Sequence, residues 1–190
     1  MLDKSAPSHA LPLYQRTMGT AFERLAPALS RFHSLSGPHR LQGLVEVEAP
    51  ANAVGRMLAW ALGAPQSSVR GSIVFELQAT PLAEVWTRHF PARTMRSTLR
   101  ASGGQVVERL GAARLGFTLD EEQGRLIMRL ESLHFLGIPC PAWLRPRIVA
   151  EETGLGDTLH FHVQAVVPWV GQVVHYQGHL VVPPAQEVSA

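Results

Sequence analysis

The sequence predicts an α+β fold that is mainly antiparallel β: about ten strands in a curled sheet or half-barrel, calycin-like in shape, with two N-terminal helical segments packed on it. Three observations carry this. From Val69 to Val182, short runs alternate apolar and polar residues. Gly- or Pro-containing turn signals separate them, at Pro91-Ala92, Gly103-Gly104, Glu121–Gly124, Gly154–Asp157 and Pro168–Gly171. Helical periodicity is confined to the chain before Gly63.

The elements follow in order. Met18, Phe22, Leu25, Leu29 and Phe32 recur at spacings of three and four, which places them on one helical face. Pro27 interrupts this run, giving either two short helices or one kinked helix, and Ser36-Gly37-Pro38 stops it. Leu41, Gly43, Val45 and Val47 alternate with Gln42, Glu46 and Glu48, a strand with one wet face. Asn52 caps a second helix over Ala53–Leu62, and Gly63 ends it. Its expected buried side is Met57, Leu58, Ala61 and Leu62, with Val54 one turn earlier and Trp60 off the stripe. The strands then begin at Val69. In the strand from Leu126 the inward parity changes near Glu131–Leu133, which calls for a β-bulge or a bend. The two helical segments are expected to pack on the sheet or plug one end. A single domain over 11–183 is expected, with loose termini at 1–10 and 184–190.

Composition narrows the function classes. The net charge is +2, and the basic residues are spread singly, which argues against a nucleic-acid surface. Sixteen of the seventeen basic residues are arginine. The single cysteine, Cys140, excludes an internal disulfide and fits a reducing compartment. No signal-like leader and no apolar run of membrane-span length is present, so a cytoplasmic protein without a membrane span is the expectation. Glycine-rich nucleotide motifs and a G-x-S-x-G setting for Ser97 are absent, and no cofactor is expected.

The most informative stretch runs from Trp86 to Leu110 and predicts a three-stranded meander. Two-residue turns place Phe90 opposite Arg93, Arg88 opposite Met95, Trp86 opposite Ser97 and Leu99 opposite Glu108. One face then carries Trp86, Arg88, Phe90, Met95, Ser97, Leu99 and Glu108. A guanidinium among Trp, Phe and Met needs a partner, because an unpaired buried charge is costly. It pairs with Glu108 inside the chain, or it anchors the polar or acidic head of an apolar ligand. These seven residues are the candidate ligand site. Glu108 is also the candidate general acid or base of an enzyme, with Arg88 stabilising an anion; the same Arg88 favours the carboxylate, so the two roles compete.

The last hairpin carries a second cluster. Its register places His160 opposite His179, His162 opposite Gln177 and Gln164 opposite His175. The opposite face, with Leu159, Phe161, Val163, Tyr176 and Leu180, is the core side. The face with His160, His162, His175 and His179 is therefore expected to meet water, and a metal site there is the minor alternative. Cys140, between two prolines, reads as an inert thiol.

Several short pieces stand in order from Leu13 to Val182: Leu13-Tyr-Gln-Arg16 with Phe22, Trp86-x-Arg88-x-Phe90 with Met95 and Ser97, and Val107-Glu-Arg109 with Gly111. Gly116-Phe-x-Leu119, Leu136-Gly-Ile-Pro-x-Pro141, Pro146-x-x-x-Ala150, Pro168-x-x-Gly171 and Tyr176-x-Gly-x-Leu180 continue the series. Together they resemble the bacterial domain of unknown function numbered 4166. His162 stands where that pattern often shows Asp. Members of the family are similar to appendages fused to, or encoded near, NAD(P)-dependent oxidoreductases. The resemblance implies an accessory role in small-molecule or lipid metabolism, with a possible oxidoreductase partner. The leading expectation is a binding module for a small apolar or lipid-like ligand. An enzyme using Glu108 and a structural partner subunit with Trp60 or Trp143 as contacts are the alternatives.

Overall fold

The protein is described by a computed structural model covering residues 11–184. The expected loose termini therefore lie outside the described residues, Pro184 apart. The order is α1 (Leu13–Met18), a 3-10 turn (Gly19–Arg24), α2 (Pro27–His33), β1 (Gly37–Val47), α3 (Ala53–Leu62), β2 (Val69–Ala79), β3 (Glu84–Phe90) and β4 (Arg93–Ser102). It continues with β5 (Gln105–Leu110), β6 (Ala113–Glu122), β7 (Arg125–Phe135), the two-residue β8 (Ile138–Pro139) and a 3-10 turn (Ala142–Leu144). The chain ends in β9 (Arg147–Leu155), β10 (Thr158–Val167) and β11 (Gly171–Val181).

The sheet closes. Its strand order is β6-β5-β4-β3-β2-β1-β11-β10-β9-β7-β8, and β6 also pairs with β7. Ten strands therefore form an antiparallel barrel, with β8 attached to its rim. This corrects the expected half-barrel. The closure depends on β7, which pairs with β6 over nearly its whole length and with β9 only at Leu126–Glu152 and Ile127–Glu151. Such a long-range, two-residue pairing leaves no mark in local alternation. The meander and the last hairpin adopt the register read from the sequence, including Arg88–Met95, Leu99–Glu108 and His160–His179. The change of parity in β7 is a bulge: Gly116 faces Ser132 and Phe117 faces Leu130, so Glu131 is the extra residue.

The N-terminal segment plugs one end. Pro27 sits in the first turn of α2, where its missing N–H costs nothing. Tyr14, Leu29 and Phe32 are buried inside the barrel. The plug is pinned to turns at that end by Ala26 N–H donating to the Gly124 carbonyl at 2.9 Å, and by the ion pairs Arg24–Glu121 at 2.7 Å and Arg31–Asp157 at 2.6 Å.

Helix α3 lies over the opposite end. Asn52 accepts from Gly55 N–H at 2.9 Å, and Gly63 takes the left-handed C-terminal position. Its buried side differs from the expected one. Gly55 and Ala59 are buried, Leu58 and Leu62 are half-buried, and Met57 is exposed. The helix rests on its small residues because a Cβ on Gly55 would already press on the Gln172 carbonyl at 3.0 Å. That contact turns Met57 outward.

Strands β1 and β11 approach closely at Gly43, where an added Cβ would fall on the His179 carbonyl. Backbone cannot yield there as a side-chain tip can. Gly43→Ala is expected to destabilise the fold by about 1–3 kcal/mol or more, read as a lower urea midpoint at unchanged slope. An unchanged midpoint would contradict the close approach.

Candidate functional site

The uneven pairing of β7 shapes an internal chamber. Beyond Ile127 it has no ladder to β9, and the chain fills the gap with side chains and with the β8 segment. A cavity of 390 Å³ results. It reaches from Phe32 of the plug and Glu152 of β9 to Leu58 and Leu62 under α3 and Val170 in the β10–β11 turn. Leu115, Phe117 and Met128 form one wall, and Ile148 and Val163 form part of another. The volume falls in the range of small-molecule sites, roughly 300–1,000 Å³.

Charged groups stand in the middle of the barrel and beneath it at the plug. Arg88 donates from Nη1 to Ser97 Oγ at 3.2 Å, and its Nη2 lies 3.7 Å from Glu108 Oε1. The second distance is an ion pair but too long for a hydrogen bond. The guanidinium lies 5.0 Å from the Trp86 ring centre and 5.9 Å from that of Phe75, which adds cation–π attraction. Only one of the five N–H donors of this guanidinium is hydrogen-bonded to a described residue. Arg88 thus has a partner within the chain and keeps donors to spare.

Around this pair stands a second set of buried polar groups. His33 Nε2 and Glu152 Oε2 are 2.6 Å apart. Trp86 Nε1–H donates to Glu84 Oε2 at 2.8 Å. Tyr14 stacks on Trp86 with ring centres 6.1 Å apart and lies against His33 at 3.8 Å. The Tyr14 hydroxyl and His33 Nδ1 are buried without a hydrogen-bond partner among the described residues. Burial raises Glu84 above the ordinary carboxylate range, and the Glu152 charge adds to this; His33 and the Trp86 hydrogen bond oppose it. Burial, reinforced by Glu152, Glu84 and Glu108, raises the Tyr14 phenol well above its usual value. Burial likewise raises Tyr176, which lines the chamber.

Of the seven residues singled out in the meander, Trp86, Arg88, Met95 and Glu108 line the cavity. Phe90, Ser97 and Leu99 do not. Phe90 packs edge-on against Tyr176, with centres 5.2 Å apart. Ser97 supports Arg88 from the neighbouring strand. Leu99 is buried in the core, on the strand that α1 packs against. Sequence reasoning missed Tyr14, His33, Glu84 and Glu152. Glu84 was within reach, because it continues the parity of Trp86, Arg88 and Phe90 one step toward the N-terminus. The other three come from elements whose placement only the closed barrel defines.

The histidines of the last hairpin lie on the outer face. They form two pairs, His160–His179 with ring centres 5.5 Å apart and His162–His175 at 5.4 Å. His175 Nδ1 lies 2.9 Å from Glu48 Oε2. Among the described residues, no three His, Cys, Asp or Glu side chains are grouped to hold a metal ion. Cys140 is half-buried and lines the chamber near its α3 end. No described helix is long and apolar enough to cross a membrane.

Fold and cavity define a closed ten-stranded antiparallel β-barrel with a few helices and an apolar internal chamber. The chain belongs to the family described as Domain of unknown function (DUF4166), whose model matches residues 25–180. No curated protein matches the chain. Among solved structures it is similar to Rv2717c from M. tuberculosis, at 14% identity and a TM-score of 0.46, over 84% of this chain and 99% of that one.

Two outcomes follow from the buried charges. Arg88→Met leaves Glu108 without its cation and is expected to cost about 3 kcal/mol, part of which Arg88→Met/Glu108→Gln should recover in denaturation measurements. A double variant no more stable than Arg88→Met would contradict the coupling. For Glu84, the raised value means that the folded protein holds a proton that the unfolded chain releases. Stability from this site is therefore present below the ordinary carboxylate range and lost as pH rises through the raised value. Glu84→Gln keeps an acceptor for Trp86 and removes that loss, so its stability relative to the parent should improve as pH rises above the ordinary carboxylate range. Parallel pH profiles would refute the assignment.

Proposed function

We propose that the protein binds a small, lipid-like molecule in the chamber, with an apolar body along the barrel axis and a polar head beside Arg88. The supporting observation is the 390 Å³ cavity, whose walls are almost wholly apolar and which reaches Arg88 and Glu108. In such a site, burial of the body supplies affinity and a few polar groups set orientation.

The charge balance favours a neutral head. Two carboxylates of the lining, Glu108 and Glu152, stand with one arginine, and His33 adds a second cation only when protonated. An anionic head would meet Arg88 together with the Glu108 and Glu152 carboxylates. A hydroxyl or carbonyl oxygen can accept from the spare donors of Arg88, and a hydroxyl can also donate to a carboxylate. The acidic head suggested by the sequence is therefore the less favoured form. A carrier of this kind would serve an oxidoreductase by presenting it with an apolar substrate, which is how the association implied by the family would operate.

Binding of straight-chain 1-alkanols and of alkanoates of equal length, measured by calorimetry, tests the reading. Each added methylene is worth about 0.8 kcal/mol, so alkanol affinity should rise about fourfold per carbon and level off once the chamber is full. Ala150→Trp, which fills the chamber, should abolish binding. Tighter binding of the alkanoates would overturn the neutral-head assignment, and absence of any alkanol binding would overturn the function.

A further inference from the structure

The α3 end of the barrel is a closed ring of five segments. Asn52 Nδ2 donates to the Val170 carbonyl at 2.7 Å, joining the start of α3 to the β10–β11 turn. In that turn Trp169 meets Trp143 of the Ala142–Leu144 turn, with ring centres 5.8 Å apart. That turn follows β8, and Cys140 N–H donates to the Leu133 carbonyl at 2.8 Å. Leu136 N–H donates to Ala112 at 2.9 Å, and Ala112 N–H donates to Ala61 at 3.0 Å, which returns the ring to α3. Leu58, Leu62, Leu144 and Val170, which line the chamber, belong to three of these segments. The ring is thus the rim of the cavity.

This rim is apolar on its outside. Trp60, Trp143 and Trp169 are 64%, 68% and 80% exposed, and Met57, Leu136 and Ile138 are exposed beside them. Leu136 and Trp169 hold left-handed backbone, with φ of 52° and 60°, in turns where bulky residues are uncommon. Scattered exposed apolar residues are ordinary, but six on the segments of one rim call for a partner. Arginine predominates among the charges here, and Glu48, just past the end of β1, pairs with His175. Arg56 lies on α3, Arg145 and Arg147 flank the start of β9, and Arg109 and Arg114 face each other across the β5–β6 turn. All five are exposed, and none forms an ion pair among the described residues. No acidic residue occurs in 49–75, 109–119 or 132–150, which contain all five arginines, nor in 158–186.

We propose that this end of the barrel docks on an anionic lipid bilayer, the tryptophan-bearing ring entering the interface and the arginines meeting the headgroup phosphates. Tryptophan favours the interfacial depth, where its ring is half in hydrocarbon and its N–H stays wet. Unpaired arginines add attraction to anionic lipid, and one chemistry that wants both features together is a charged membrane surface. Leu58, Leu62, Leu144 and Val170 line the chamber behind this rim, so docking would set that end of the chamber against the bilayer. The docking stands on the rim alone and does not require the chamber to be loaded.

Flotation with vesicles tests it. The full chain should float with vesicles of phosphatidylcholine mixed with phosphatidylglycerol, far less with phosphatidylcholine alone, and be released by high salt. Trp60→Ser/Trp143→Ser/Trp169→Ser should lower partitioning at least about tenfold. Arg56→Gln/Arg145→Gln/Arg147→Gln should do the same for the anionic vesicles only. None of these side chains lines the chamber, so circular dichroism and alkanol binding should be unchanged. Protein that ignores both vesicle types, or floats equally after either triple substitution, overturns the proposal. A dimer that is lost with the tryptophans, without vesicle binding, overturns it too and gives the surface to a second copy. Failure of the parent to bind alkanols, with flotation intact, would sink the chamber reading and leave the docking standing.

Discussion

Strand β7 must serve two neighbours and can satisfy only one of them. It is laddered to β6 from end to end, while β9 reaches it at Leu126 and Ile127 alone. Above those residues the barrel wall is completed by side chains instead of hydrogen bonds. A ten-stranded barrel is already too wide for its inward side chains to fill. The plug fills one end with Tyr14, Leu29 and Phe32. What remains between the plug and α3 is the chamber.

The buried charges follow from that geometry. Arg88 and Glu108 stand on strands one apart, joined through β4, where Ser97 holds the guanidinium. In a solid core such a pair would close on itself to recover its desolvation cost. Here the side chains border a cavity, the pair stays at 3.7 Å, and donors remain free. The second set, His33 with Glu152 and Trp86 with Glu84, lies beneath it and gives the inner end of the chamber its polarity. The outer end has the reverse design: an apolar interior and an apolar, arginine-bearing rim. The barrel therefore carries buried polar pairs at the plug and in its middle, and tryptophans on the outside of its α3 end.

Much of this was legible before any coordinates. Strict two-residue alternation around Pro91-Ala92 and Gly103-Gly104 leaves one register, and the meander has it. The parity break at Glu131 is a bulge, and Asn52 and Gly63 bound α3. The errors share a cause. Helical periodicity places Met57 inside, yet α3 touches the barrel through Gly55 and Ala59, because the approach of β11 leaves little room at Gly55. Leu99 and Phe90 are inward, as their parity requires, but parity does not say whether an inward residue meets a cavity or a packed neighbour.

The sequence by itself determined the local facts: which residues alternate, where the chain turns, and that Arg88 and Glu108 share one face. These depend on backbone period and turn chemistry, which act over a few residues. Only the tertiary structure decided that the sheet closes, that Tyr14, His33 and Glu152 join Arg88, and that α3 and four distant turns form one rim. Those outcomes depend on the β7–β9 pairing and on where the plug and α3 come to rest. Both are contacts between residues far apart in the chain, whose energies no local pattern records.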